Sequence, residues 1–255
     1  LKFIRLVFLA SICTMCVVTP VMAQQSSHDS IAFFNKYKFK YPSIIVPASL
    51  ISYGIVGIES DGLKLVNSGV KEEVNEHIDR KITIDNFSQY APALSVYGLN
   101  AIGVKGEHDF WDRTIILATS YVIMSTSTLG LKAITKVKRP DGSSLNSFPS
   151  GHTATAFMGA EFLYQEYKSV SPWIGVAGYL VATGTGMFRV YNDRHWLTDV
   201  VAGAGIGILS TKIAYWLMPY FQNKIFKRER EKTTTAMLVP FYSKEAFGLS
   251  FTTAF

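Results

Sequence analysis

Apolar runs divided by short charged segments constrain this chain more than anything else in it. Residues 41–58 and 87–104 carry no charge, residues 114–131 form a third run, and a fourth extends from 196 to about 221. Where water is excluded, backbone N–H and C=O groups must pair internally, and a helix does this within one segment. The 114–131 run is the best candidate to cross a bilayer, with Trp111, Asp112 and Arg113 before it as interfacial anchors. Two prolines make 41–58 marginal, and Gln89, Pro92 and Asn100 weaken 87–104. Further helices are expected from about Thr153 into Glu161–Tyr167 and from 172 to 188. In the last run, Gly203, Gly205 and Gly207 permit close helix packing. The pattern predicts an all-α, up-and-down bundle of about 5–6 core helices embedded in a membrane.

The flanks differ from this core. Residues 1–23 read as a secretory signal: Lys2 and Arg5, an apolar centre from Phe8 to Val18, then Val21-Met22-Ala23. Both cysteines, Cys13 and Cys16, fall inside it, so a cleaved chain has no thiol chemistry. Residues 24–40 read as a polar, basic linker and 41–223 as the bundle. Within the bundle, 62–80 is expected to form an amphipathic surface helix. Val66, Val70, Val74 and Ile78 lie on one side, and Lys71, Glu72, Glu73 and Glu76 face away. A basic cluster (Lys224, Lys227, Arg228, Arg230, Lys232) opens the segment 224–255. Its alternating tail suits a β-hairpin between Met237–Tyr242 and the run containing Phe247, Leu249, Phe251 and Phe255. That alternation resembles an outer-membrane β-signal, but one hairpin cannot make a barrel. At 48% hydrophobic, with a net charge of +6 and a mean hydropathy of +0.19, the chain suits anionic substrates or a membrane surface. Nucleic acid is not an expected partner, because the basic residues are scattered between apolar runs.

The polar groups that carry chemistry fall at one end of such a bundle. Lys132 and Arg139 are seven apart, as on two turns of one helix closed by Pro140. Pro149-Ser150-Gly151-His152 opens the next helix, and two antiparallel helices bring the chain back to Arg189. His195 then begins the last helix, with Asp199 one turn on at i+4. Lys132, Arg139 and Arg189 supply positive charge and donors for an oxyanion. Ser150 and Gly151 offer backbone N–H groups at a helix start, and glycine permits close approach. His195 is the candidate nucleophile oriented by Asp199, and His152 the candidate general acid. No metal or cofactor is called for, since cationic side chains and backbone donors can hold the developing charge. His28, His77 and His108 read as surface residues, and Lys136, Lys138 and Arg194 as solvent or headgroup contacts. Trp196 reads as interfacial packing.

K-x6-R-P (Lys132 to Pro140), P-S-G-H (149–152) and R-x5-H-x3-D (189–199) together resemble the three motifs of the type-2 phosphatidic acid phosphatase superfamily. That group includes lipid phosphate phosphatases, bacterial acid phosphatases and vanadium haloperoxidases. The resemblance implies phosphate binding by Lys132, Arg139, Ser150, Gly151 and Arg189. It also implies an acid at His152, a nucleophile at His195 and support from Asp199. Phe188 departs from the pattern, which commonly has serine or threonine before the arginine.

The expected activity is metal-independent hydrolysis of a phosphate ester on an envelope lipid through a phosphohistidine. Lipid A, undecaprenyl diphosphate and phosphatidylglycerol phosphate are the candidate substrates. The alternatives are a soluble periplasmic acid phosphatase, a vanadate-dependent haloperoxidase, and a non-catalytic lipid-binding membrane protein. The basic cluster after 221 argues that the last helix ends inside the cell, so the reactive end faces the periplasm from an inner membrane. This requires that one early run not span, and 87–104 is the weaker. A soluble periplasmic or outer-membrane-associated location is the alternative.

Overall fold

The structure, a computed structural model, describes residues 41–76, 83–222, 235–242 and 247–254. The expected signal, the 24–40 linker, His28, His77, Phe255 and the basic cluster lie outside the described residues. The chain divides into two units, Leu1–Trp216 and Leu217–Phe255. Among the described residues there are eight helices: α1 (Pro42–Glu59), α2 (Asp61–Glu76), α3 (Asp85–Ser88), α4 (Ala91–Ala101), α5 (Phe110–Thr135), α6 (Gly151–Tyr167), α7 (Pro172–Tyr191) and α8 (Leu197–Tyr220). The second unit contains the expected hairpin, β1 (Thr235–Tyr242) and β2 (Phe247–Ala254), antiparallel with Thr235 opposite Ala254 and Tyr242 opposite Phe247.

α6 is the axis of the bundle. Its small residues let neighbouring backbones approach: a Cβ on Gly159 would meet Ala93 N of α4 at 2.9 Å, and one on Gly207 of α8 would meet Ala154 O at 2.3 Å. Met124 of α5, Ala154 and Met158 of α6 and Ile206 of α8 form one buried cluster, with Ile51 of α1 against it. α1 runs antiparallel to α8, since Gly54 abuts Ala202, Gly57 abuts Thr198, and Gly205 abuts Pro47. Among the described residues three helices, α1, α5 and α8, are long and apolar enough to cross a membrane. Their outward residues, among them Ile45, Val46, Val122 and Leu129, are well exposed, as lipid-facing side chains are. The chain is an all-α membrane protein with a minor hairpin.

Three expectations about elements are corrected, whereas the 87–104 run falls short of a span in length, as expected. α4 has 11 residues and cannot cross a bilayer by itself. Yet the 87–104 segment does run the depth of the bundle. Ser88 Oγ meets Thr185 Oγ1 near the end of α7, Ala93 packs on Gly159, and Glu107 N donates to Glu166 O at the far end of α6. α5 stops at Thr135, where Lys136 turns left-handed at φ 47°, so Arg139 lies on a loop and not on the helix of Lys132. His195 precedes α8 by two residues. α2 turns a different face inward: Asn67 is buried at 7% exposure while Val66 is 45% exposed. Asn67 is drawn in by Thr198, whose N–H it accepts at 3.2 Å and whose Oγ1 it donates to at 2.9 Å.

At the far end, two further expectations change. His108 is buried, its Nδ1 2.7 Å from Glu166 Oε1, and Tyr215 Oη donates to the same oxygen at 2.6 Å. Arg113 is not an interfacial anchor; it is 3% exposed and donates to the carbonyls of His108 and Asp109. A charged residue entering low-dielectric surroundings is retained where partners meet it, and here they do.

Candidate active site

The end of the bundle opposite His108 gathers the C-termini of α1, α5 and α7 with the N-termini of α6 and α8. Two loops join there. In the loop after α5, Arg139 N donates to Ser144 O at 3.0 Å and Ser147 N to Val137 O at 2.9 Å, folding residues 136–147 back on themselves. In the loop after α7, Arg189 O accepts from Arg194 N at 3.0 Å and His195 N at 3.3 Å, which returns His195 over Arg189. The loops are tied together. Asp141 N donates to Asp193 O at 3.2 Å, Arg194 pairs with Asp141 at 3.1 Å, and Trp196 Nε1 donates to Lys138 O at 2.9 Å. Lys71 of α2 closes the outer side, bonded to Pro140 O at 2.8 Å and seated over Trp196 at 5.7 Å. Lys71 and Arg194 therefore hold structure, and Trp196 is a clamp between the two loops.

Ser150 caps α6. Its Oγ is 3.5 Å from Thr153 N and 2.8 Å from Thr153 Oγ1, and its own N–H donates to Asp199 O at 3.0 Å. That N–H is thus engaged with α8, which leaves Gly151 and His152 as the candidate backbone donors of this helix start. Gly203 is what permits this junction, for its Cβ would sit 2.5 Å from Ser150 O.

Asp199 Oδ2 accepts from Ser147 Oγ at 2.5 Å and Trp196 N at 2.9 Å. His195 Nδ1 lies 3.7 Å from the same oxygen, near enough to feel its charge and long for a hydrogen bond. His195 is 2% exposed. Burial pushes its imidazole down to about 4; the Asp199 carboxylate offsets part of this, and the cations Lys132 and Arg189 add to it. His152 is also lowered to about 4, by burial first and then by Arg189, with Asp85 opposing and His195 and Arg139 adding. Arg139 is depressed by burial and by the Arg189 guanidinium beside it. These mutual effects bring Arg139, His152, Arg189 and His195 into one electrostatic neighbourhood, which Lys132 and Asp199 share.

Three buried nitrogens in this cluster, Arg139 Nε, Arg189 Nε and His195 Nδ1, have no hydrogen-bond partner among the described residues. Leaving a buried donor unmatched costs about 1–3 kcal/mol each. Unmatched guanidinium N–H groups of this kind suit an oxyanion that supplies the acceptors. Lys132 Nζ reaches the same region while donating to the carbonyls of Asn146 and, at 3.4 Å, Ser147.

Sequence reasoning missed the residues that complete the cluster. Asp85, 1% exposed, pairs with Arg189 Nη1 and accepts from Asn192 Nδ2 at 3.2 Å. Asn86 Oδ1 is 2.9 Å from His152 Nε2. Ser147 grips Asp199. All are short polar residues in or beside loops, and no periodicity marks them. Phe188 packs edge-on against Tyr191 at 5.8 Å.

Residues 113–223 match the model of the PAP2 superfamily, a span that encloses all three motifs. A lipid A 1-phosphatase of Porphyromonas gingivalis is 38% identical over 163 residues, covering 61% of this chain and 37% of that protein. The bacitracin transport permease protein BcrC of Bacillus licheniformis is 34% identical over 74 residues, 29% of this chain and 34% of that one. The chain thus spans about a third of the length of these relatives. The crystal structure of a transmembrane PAP2-type phosphatidylglycerolphosphate phosphatase from Bacillus subtilis superposes with a TM-score of 0.50 at 22% identity. That match covers 72% of this chain and 99% of that one, and it bears on the fold alone. By its motifs, its helical fold and the matched model, the chain is similar to the PAP2 superfamily over residues 113–223.

Proposed function

We propose that this chain is a metal-independent lipid phosphatase that works through a phosphohistidine. The observation that carries this reading is the pair of buried, unmatched guanidinium donors, Arg139 Nε and Arg189 Nε, set beside two imidazoles held neutral by burial. Lys132, Arg139, Arg189 and the N–H groups of Gly151 and His152 bind the phosphate oxygens. With Nδ1 turned to Asp199, Nε2 of His195 attacks phosphorus. As that N–P bond forms, the P–O bond to the lipid breaks, and His152 gives its proton to the departing oxygen. The bound dianion favours the proton on His152 that the empty site disfavours. His152 then takes a proton from water, the hydroxide attacks phosphorus, and the N–P bond breaks to release inorganic phosphate.

An apolar groove of about 550 Å³ between α4 and α7 supports a lipid substrate. Its wall starts at Ala91 and Pro92, three residues beyond α3, and continues along Leu99, Ile102, Ile174 and Val181. Lipid A is the leading candidate, because the Porphyromonas gingivalis relative is a lipid A 1-phosphatase. Undecaprenyl diphosphate and phosphatidylglycerol phosphate are the competitors. A soluble location is not carried forward, given the three apolar helices.

The catalytic end faces the periplasm from the inner membrane in this reading. Because α1 runs antiparallel to α8, the first turns of α1 lie at the end of the bundle away from Thr198 and the reactive groups. Lys36, Lys38 and Lys40 precede α1 and the basic cluster follows α8, so both basic segments are cytoplasmic under the positive-inside rule. This orientation has the 87–104 segment crossing with the rest of the bundle, and it does not sit with cleavage of residues 1–23 by an export route.

The purified chain in detergent is assayed for phosphate release from lipid A, undecaprenyl diphosphate and phosphatidylglycerol phosphate, with an alkaline denaturing quench to trap phosphoenzyme. The expected result is release from at least one lipid, an acid-labile and base-stable phosphoenzyme, and near-complete loss of both in His195→Ala. Undiminished release by His195→Ala defeats the mechanism. Bromide oxidation with added vanadate, without phosphate release, identifies a haloperoxidase instead.

A further inference from the structure

Asn86 is bonded to the acid of the proposed reaction, yet no motif contains it. It is an exposed residue on α3, a single turn anchored by its neighbour Asp85 to Arg189 and Asn192. The turn itself is fixed, with Asn86 N donating to Thr83 O at 3.2 Å and Asn86 O accepting from Gln89 Nε2 at 2.9 Å. Its side-chain Oδ1 is thereby presented to His152 Nε2 at 2.9 Å. An amide oxygen only accepts, so Nε2 is the nitrogen that carries hydrogen. Nδ1 is then left as the nitrogen that gains and loses the catalytic proton.

We propose that Asn86 is a positioning residue for His152, holding the ring by Nε2–H so that Nδ1 faces the leaving oxygen, and favouring the imidazolium over the neutral ring. The second effect follows from the strength of charge-assisted hydrogen bonds, about twice that of neutral ones. It matters because the other groups facing His152 oppose the proton. Arg189 from α7, Arg139 from the loop after α5 and His195 from the loop before α8 all repel it, and Asp85 from α3 attracts it. α3 thus contributes both stabilisers of the acid, one by charge and one by contact.

The inference rests on the phosphatase reading. Its test is kcat against pH for wild type, Asn86→Ala and Asn86→Asp, on whichever lipid of the panel above the wild type turns over fastest. Orthovanadate inhibition of Asn86→Ala is measured alongside. In Asn86→Ala the alkaline limb moves down by about half to one pH unit. In Asn86→Asp, where a carboxylate faces Nε2, it moves up by about one unit or more. Vanadate inhibition of Asn86→Ala stays within about twofold of wild type, since the anion cradle is untouched. Opposite movements are not what a merely structural role produces. Superimposable profiles, or shifts in the same direction, overturn the proposal while leaving the phosphatase reading intact. Absence of phosphate release by the wild type on every lipid of the panel overturns both.

Discussion

Gly203→Ala tests whether helix packing positions the reactive groups. The added methyl falls 2.5 Å from Ser150 O and 3.3 Å from Thr153 Cβ. The oxygen cannot swing aside, because it accepts Ala154 N at 3.0 Å in the first turn of α6. Ordinary contact begins near 3.4 Å, so α6 and α8 must part by about 0.9 Å at this point. The Ser150 N–H to Asp199 O bond of 3.0 Å crosses the same junction. Parting it separates Gly151 and His152 from His195 and Asp199. Overpacking of this kind costs about 1–3 kcal/mol, and displacement of reacting groups on the order of 1 Å costs about 100-fold in rate. Gly184→Ala is the control, with nothing within 4 Å of its Cβ, and should leave the protein as stable or up to about 1 kcal/mol more so. Phosphate release and thermal unfolding in detergent are read for both. If Gly203→Ala matches Gly184→Ala within about threefold in kcat/KM and unfolds at the same temperature, the packing argument is wrong.

Two further outcomes follow from the charges. Asp85→Ala leaves the Arg189 guanidinium buried without its carboxylate, a loss of about 3–5 kcal/mol. Orthovanadate replaces the missing negative charge, so its stabilising shift in Tm should be larger in Asp85→Ala than in wild type; an equal or smaller shift would falsify the assigned pairing. The pH dependence follows from His195. With its imidazole lowered to about 4, His195, the proposed nucleophile, stays neutral well below the ordinary 6.5, and the acid limb of kcat/KM is expected near pH 4. The same shift bears on stability. Between about 6.5 and 4 the unfolded chain binds the proton and the folded chain does not, so stability is full above 6.5 and declines as pH falls through that window. An acid limb near pH 6.5 contradicts the burial of His195.

Much of the bundle was legible because lipid-exposed helices announce themselves by apolar length, and because Gly203 and Gly207 mark where backbones meet. The motif residues were legible as chemical types at fixed spacing. Their local geometry was less so. Arg139 was expected on a helix that Lys136 ends, and Ser150 N–H was expected to face an anion but bonds to Asp199. The seven-residue spacing fits two helical turns, yet a left-handed residue after Thr135 breaks the period, and spacing carries no trace of that. His108 was expected at the surface because a lone histidine in a loop gives no hint of Glu166, 58 residues on.

Alone, the order of residue types determined that this chain makes helices, that they suit a membrane, and which side chains are candidates for phosphate chemistry. Those properties follow from hydropathy and functional groups, which are local. Tertiary structure decided what presses against those groups: Asp85 on Arg189, Asn86 on His152, Ser147 on Asp199, and Asn67 on Thr198. Such pairings join residues as far as 131 positions apart through loops and short turns. Periodicity cannot encode them, because the energy that selects them comes from burial and charge in the assembled bundle.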